Sequence, residues 1–430
     1  MPIGAAQNVT DSLAAQLEKV RDVLSLMYER DDELLGLIQK RGDIEYVSAR
    51  LMRIPLQITP GGRGQQYSPD GGAVGRGSAT LYDVAQVTPF YWSFPIEINT
   101  QVRYTTDSKE KAVESVVKRE VANGMAQFRA FLNKLLQTNG NGVLGTINNV
   151  SGTTYTMAVP NGAALVYKGQ QIQVYDSTFT INRGSANVTQ ADPVTAQTIT
   201  VDASPAGTVA TDVIVVQGLA GSLTTQSSLF GLKYHQNSAT TGTWLNLNRA
   251  TYPVELATPR VNGGNAALTP TMARLAYNKM RKALGVRKDQ DMKKLIAYMN
   301  VEQEHAWENL GITISQVIKE GPGGGADSLD LLFTGQKTIG GVKIQPSIYA
   351  DQTRIDFIDL SHWGRAVSKD IGYWDDGSGK TIFPIIVTSG PGAGAPQATQ
   401  WFAFDTGFQV WNDSPRSGAF IDNLARPTGY

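Results

Sequence analysis

Three histidines, His235, His305 and His362, and no cysteine set the limits of the chemistry open to this chain of 430 residues. Without cysteine there is no disulfide, thiolate zinc site or cysteine nucleophile, a composition suited to a reducing compartment. His305 stands among Glu302, Glu304 and Glu308 on a stretch with helical spacing. Glu304 and Glu308 are one turn apart and could meet a cation; a solvated acidic helix face is the simpler reading. No His-Glu-x-x-His sequence supports zinc. Gly377-Ser378-Gly379-Lys380-Thr381 resembles the end of a phosphate-binding loop, but Trp374 stands where that loop needs its first glycine. The following Ile382-Phe383-Pro384-Ile385 reads as a strand where a helix is required. Asp375 and Asp376 offer oxygen ligands without the alternating spacing of a calcium loop, and no Gly-x-Ser-x-Gly elbow presents a serine nucleophile. No catalytic, cofactor-binding or metal-binding residue is assigned, and a non-enzymatic role is expected.

Charge is balanced, 38 Lys plus Arg against 38 Asp plus Glu, which leaves no electrostatic footprint for sequence-specific nucleic-acid binding or for an anionic membrane. Any contact with DNA would be loose and non-specific. Met1 to Thr10 lacks the pattern of a secretory signal, and no run of about 18 apolar residues occurs, so neither secretion by that route nor a membrane span is expected. The length exceeds what one hydrophobic core usually serves, so more than one packed unit is expected.

The elements that would position any functional residue follow from periodicity. From Asp11 to Lys40, Leu13, Leu17, Val20, Leu24, Met27, Leu34 and Ile38 form an apolar stripe broken at Asp31. The stripe predicts an amphipathic helix about 45 Å long, packed on its own subunit or pairing with a neighbour. Met52, Ile54, Leu56 and Ile58, then Phe90, Trp92, Phe94, Ile96 and Ile98, alternate as strands and read as one long hairpin. Between them Thr59 to Thr80 is glycine-rich, with Arg63 and Arg76 its only basic residues. A loop of that length without a core is ordered, if at all, by something outside the subunit.

Asp107 and Glu110 have the spacing of a capping box and open a helix carrying Val113, Val117, Val121, Met125, Phe128, Leu132 and Leu135, closed by Asn139 to Gly142. Gly124 in its middle is a weak point of about 1 kcal/mol against alanine. Val143 to Gly218 then shifts to Val, Thr, Gly, Asn and Ala with short strands such as Gln171 to Tyr175, Thr198 to Asp202 and Asp212 to Gln217, a small all-β module. The remainder predicts a helix at Pro270 to Leu284, a strand at Lys294 to Met299 and a helix from Val301 to Leu310 closed by Gly311. Later strands are expected at Gly341 to Ile344, Arg354 to Asp359, Thr381 to Val387 and Gln400 to Phe404, before a coil-rich end with Pro415 and Pro427. The class is α+β.

The order of these elements resembles the Hong Kong-type capsid fold of tailed bacteriophages, with local idiom in Gly231-Leu232-Lys233-Tyr234-His235, Asn248-Arg249-Ala250, Gly340 to Pro346 and Ile355 to Asp359. The resemblance implies a helical arm at 1–46, an extended loop at 47–100, a peripheral domain with a spine helix at 101–142, an axial domain at 221–390 and a C-terminal return to the peripheral domain at 391–430. The β module, 143–220, looks like the insertion domains of some relatives. It further implies a major capsid protein that self-assembles into hexamers and pentamers, forming an icosahedral shell around double-stranded DNA. Interfaces are expected from Met52, Ile54, Leu56, Arg63, Arg76, Phe90, Trp92 and Phe94 on the extended loop, and from Leu13, Leu17, Val20, Leu24 and Met27 on the arm. Portal and scaffolding proteins and a cementing protein are the other implied partners, no cofactor is implied, and the implied location is the virion, assembled in the bacterial cytoplasm. A β-rich virion decoration or attachment protein is the alternative, and a carbohydrate-acting hydrolase the third reading.

Some relatives join neighbours by an isopeptide bond from a lysine of the extended loop, but no lysine lies between Lys40 and Lys109 here, and arginine stays protonated and cannot replace a neutral amine. Purified particles boiled in detergent are expected to release monomer near 46.4 kDa; ladders that survive boiling would reveal a crosslink of another kind.

Overall fold

Alternating apolar residues make strands, but which strands pair depends on where the chain turns. In the computed structural model, which describes residues 33–39, 45–48, 51–64, 66, 75–100, 116–218, 228–284, 294–319, 338–339, 341–375, 377, 380–386, 394 and 396–427, Leu51–Thr59 pairs antiparallel with Leu81–Val87, Met52 opposite Val87. Glu45–Ser48 lies on its other edge. The expected hairpin between Met52–Ile58 and Phe90–Ile98 is therefore corrected. The chain breaks at Thr88-Pro89, where proline donates no ladder bond, and Phe90–Asn99 joins a different sheet. Both segments share the same alternation, so periodicity could not tell partner from non-partner.

That second sheet is built on Pro396–Asn412, a strand of 17 residues. Phe90–Asn99 runs antiparallel along one edge, Phe90 opposite Phe408 and Asn99 opposite Thr399, while Trp363–Tyr373 and Phe383–Ile386 share the other. One face carries Trp92, Phe94, Phe402, Phe404 and Phe408 against the long helix Val116–Leu135. Trp92 meets Phe131 edge-on at 5.9 Å between ring centroids, and Phe94 meets Phe128 at 5.9 Å. The start read at Asp107 and Glu110 lies outside the described residues. Gly124, expected as a weak point, sits where the helix approaches the sheet: a Cβ there would come within 2.1 Å of Ile96 Cδ1 and 3.0 Å of Phe404 Cε2.

After the helix the chain forms a closed antiparallel barrel of Val143–Ser151, Thr154–Met157, Gln171–Tyr175, Asn182–Asp192, Thr198–Val201 and Val213–Val216. Leu144, Ile147, Tyr155, Ile172, Val174, Val188, Ile199 and Ile214 are buried in one cluster with Phe128, Phe131 and Leu132 of the long helix.

The third unit is a mixed sheet ordered Arg260–Ala266, Ala419–Leu424, Ile355–Asp359, Leu295–Asn300, Val342–Ser347, Thr338–Ile339. Its first and fourth pairings are parallel and the rest antiparallel. Pro270–Leu284 buries Ala273, Ala276 and Met280 against it, and Trp307 of Val301–Lys319 joins the same core. Two expectations are corrected. The second helix continues through Gly311 to Lys319, an isolated glycine costing only about 1 kcal/mol when the turns on both sides are held. The C-terminal stretch read as coil contains Ala419–Leu424, a strand between two others, because tertiary pairing overrides a run of only three apolar residues.

Helix propensity favours replacing Gly124, and packing forbids it. Gly124→Leu is expected to lower thermal stability, by about 1–3 kcal/mol from overpacking, and a raised melting temperature would show that helix and sheet can separate without loss.

Candidate functional site

The three histidines stand in different surroundings. His235 is fully buried, edge-on to Trp363 and Tyr234, each at 5.1 Å between ring centroids. Trp244 Nε1–H donates to its Nδ1 at 3.3 Å, so the proton sits on Nε2, which faces the Val410 carbonyl at 3.1 Å. Burial lowers its pKa to about 3; the ring is neutral and walled off from any substrate. His362 Nδ1 lies 2.6 Å from Asp413 Oδ1. His305 lies exposed on the helix with Glu304, whose pKa is raised by partial burial and then by the charges of Glu308 and Glu33. Among the described residues no group of three metal-ligating side chains is placed to hold an ion. Trp374 stacks on Trp401 at 5.4 Å, and the stretch after Lys380 enters the strand Phe383–Ile386.

The two short motifs at 231–235 and 248–250 meet in a buried polar knot. Gly231 lets the backbone pass so close to the end of the long helix that a Cβ would sit 2.3 Å from the Thr138 carbonyl oxygen and 2.4 Å from that of Leu136. Leu232 N–H then donates to the Leu136 carbonyl at 2.7 Å. Arg249, 3% exposed, donates to the carbonyls of Leu256 at 2.8 Å, Asn237 at 3.2 Å, Ala239 at 3.3 Å and Tyr234 at 3.3 Å. Gln236 Nε2 donates to the Phe357 carbonyl, and Arg354 holds both the Gln236 carbonyl at 2.7 Å and Asp356 through two nitrogens. Lys233 pairs with Asp351 at 2.8 Å.

Of the expected interface residues on the loop, most are covered within their own chain. Met52, Ile54 and Leu56 are buried against Trp244, Leu245, Leu247 and Leu256. Phe90 meets Phe230, while Trp92 and Phe94 meet the long helix. Their rings supply internal packing and stay half-buried within the chain. Arg63 and Arg76 are exposed on a finger closed by Gly62 N–H to the Ser78 carbonyl at 2.9 Å and Gly61 N–H to Thr80 Oγ1 at 3.1 Å. The arm residues Leu13, Leu17, Val20, Leu24 and Met27 lie outside the described residues. Missed in the sequence were Leu81, Tyr82 and Val84, which leave apolar surface on the hairpin, Tyr82 at 67% exposure. Their signal was present: Leu81-Tyr82-Asp83-Val84-Ala85 places apolar side chains on both faces of one strand.

No family model matches the chain, and no curated protein matches it. Among solved structures, a chain of the cyanophage A-1(L) capsid asymmetric unit is 14% identical, with 95% of this chain and 96% of that chain covered and a TM-score of 0.58. The capsid of Myoviridae phage XM1 matches at 10% identity, 96% and 98% coverage and a TM-score of 0.45, and an encapsulin complex from Synechococcus elongatus at 9%, 98% and 98% and 0.44. The chain has the phage-capsid fold that the resemblance implied.

A buried neutral histidine makes stability depend on pH. Its folded pKa, about 3, lies below its ordinary 6.5, so the unfolded chain binds the extra proton and stability is lost as pH falls through that window, by up to about 1.4 kcal/mol per pH unit. Denaturant midpoints of the wild type are expected to drop between pH 7 and pH 5 more steeply than those of His235→Gln; equal slopes would place the acid sensitivity elsewhere.

Proposed function

We propose that this chain is the major capsid protein of a tailed bacteriophage, a non-enzymatic subunit that assembles into hexamers and pentamers and so into an icosahedral shell around double-stranded DNA. The observation that carries this reading is the finger at 60–64 and 75–80. It is exposed throughout except at Thr80 and closed by its own hydrogen bonds, on a chain that shares its fold with a phage capsid chain. A protruding, core-less finger is stabilised by burial against another copy.

In this reading the finger belongs to the extended loop, 47–100, and lies over the next subunit. The long helix in 101–142, fixed to its sheet by aromatic packing, stiffens the edge of each tile. The barrel within 143–220 is an insertion domain, 221–390 supplies the axial domain, and 391–430 returns to the peripheral domain. The 1–46 arm pairs with neighbours through Leu13, Leu17, Val20, Leu24 and Met27. Portal and scaffolding proteins and a cementing protein are proposed as further partners, with only non-specific contact to packaged DNA, in keeping with 38 positive against 38 negative side chains. The proposed location is the virion, assembled in the host cytoplasm.

Replacing residues 60–80 by a two-residue turn leaves every buried cluster intact. The shortened chain is expected to stay soluble, melt close to the full chain and sediment as small species, where the full chain gives shells or sheets in electron micrographs. Shells from the shortened chain would remove the finger from assembly, and a full chain that stays monomeric at high concentration in several salts would overturn the reading itself.

A further inference from the structure

The helix Pro270–Leu284 packs on Arg260–Ala266 and Ala419–Leu424 with Ala273, Ala276 and Met280 turned toward the mixed sheet. Its other face is basic. At about 100° per residue, Arg274, Lys279, Arg281 and Lys282 fan over the side away from the sheet, and the 15 residues include no Asp or Glu. Arg274, Lys279 and Lys282 are exposed, while Arg281 is half-buried with its guanidinium 5.7 Å from the Tyr277 ring centroid. On a chain with 38 positive and 38 negative side chains this is a local excess of one sign. Asp422, on a strand beneath the helix, is held by Arg260 at 2.8 and 2.9 Å, and Lys279 Nζ donates to the Arg260 carbonyl at 2.7 Å. Helix energetics account for part of the pattern only. Arg281 and Lys282 stand in the last turn, where cations complement the helix dipole, and Arg416 donates to the Ala283 carbonyl there. The first turn, where the dipole favours an acid, has none and is followed at once by Arg274. Lys279 and Lys282, three residues apart, repel each other.

We propose that this helix face is a sequence-independent contact for the phosphate backbone of double-stranded DNA, made by Arg274, Lys279 and Lys282 and supported by Arg281. The proposal rests on the capsid reading above and names the part of the subunit that meets the packaged duplex. Charge complementarity selects the occupant. Residues 274 to 282 span about 12 Å of helix at 1.5 Å per residue, a length over which a DNA duplex presents about seven phosphates. Four cations along that length suit an extended polyanion. A small anion is a poorer match, because the side chains fan outward over a convex surface and do not converge on one point. A lipid surface also fits less well, since an interfacial helix needs its apolar face free. Here Ala273, Ala276 and Met280 are buried against the sheet, which leaves Leu275, 45% exposed, as the helix's large apolar side chain in solvent. Contacts from lysine and arginine to phosphate hold a duplex in place without reading its bases, as a shell that encloses any sequence requires.

Binding of a fluorescein-labelled duplex to the full chain, followed by anisotropy as salt rises from about 50 to 200 mM, measures the contact. The triple variant Arg274→Gln, Lys279→Gln, Lys282→Gln is expected to bind about tenfold or more weakly at the low-salt end. Its plot of log affinity against log salt should flatten by about 2.7, roughly 0.9 for each contact removed. Arg53→Gln, Lys168→Gln and Lys380→Gln together remove three exposed cations elsewhere and should leave the slope unchanged. The wild-type chain supplies a check that does not depend on how a variant folds: the duplex should protect Lys279 and Lys282 from an amine-reactive reagent and leave Lys168 open to it. An unchanged slope in the first triple variant, or equal labelling of these lysines with and without duplex, would overturn the contact. Retention on anionic lipid vesicles by a chain that ignores the duplex would overturn it too and assign the face to a membrane. Shells in electron micrographs without duplex binding through this face would remove the contact and leave the capsid reading intact. Duplex binding through this face by a chain that forms no shell would overturn that reading and leave the contact standing.

Discussion

Arg249 is a buried cation with no carboxylate among its described hydrogen-bond partners; its guanidinium is satisfied by four backbone carbonyls from residues 234 to 256. A charge in that position is tolerable only if the loop around it keeps one shape, since each lost carbonyl leaves both a buried donor and a buried acceptor unmade. The fixed loop then touches every unit through hydrogen bonds of its own. Leu245 accepts from Gln86 of the hairpin, Gln236 donates to Phe357 of the mixed sheet, His235 meets Val410 of the long strand, and Leu232 donates to the end of the long helix. Lys233 adds the barrel turn, with Asn161 Oδ1 at 3.5 Å, and Asp351 beyond it. Three sheets and a helix are thus referenced to one segment of about thirty residues.

The apolar clusters show why such a reference is needed. The barrel interior and the long helix share one core, the mixed sheet has a second and the hairpin a third. Burial alone is non-directional and would let these bodies slide, whereas directional bonds to backbone atoms set their mutual positions. Lys134 reinforces the joint between helix, barrel and mixed sheet, its ammonium 4.7 Å from the Tyr349 ring centroid and 5.4 Å from that of Tyr167.

Much of the local structure was legible. Pro270–Leu284 was read with the bounds found because Thr269 caps it, Oγ1 accepting from Met272 N–H at 3.3 Å, and Pro270 opens it. Gln171–Tyr175 was equally plain, five residues between glycine and aspartate turns. Val143–Ser151 and Asn182–Asp192 were not, since Gly145, Asn148, Asn149 and Gly184 interrupt their alternation. Pairing was illegible where two strands carried the same period, which is why the hairpin was closed on Phe90–Ile98 in place of Leu81–Val87. The candidate surface suffered from the same blindness. Met52, Phe90 and Trp92 looked like aromatic and apolar residues awaiting a neighbour, because a sequence shows that a side chain needs burial and does not show which element supplies it.

Phe90–Asn99 illustrates this division of labour. Its aromatic face is committed to the long helix and one edge to Pro396–Asn412, and among the described residues no strand pairs with its second edge. A partner arriving there would gain backbone hydrogen bonds and polar contacts and little apolar area. Net gains from such bonds are about 0.5–1.5 kcal/mol each, so in the proposed shell a misplaced copy could leave while many contacts in sum would hold the surface closed. Had Trp92 and Phe94 been left outside, each isolated chain would have carried a contiguous aromatic patch, the surface that drives indiscriminate aggregation before any ordered lattice can form. Packing the rings inside keeps that patch off the surface of the chain.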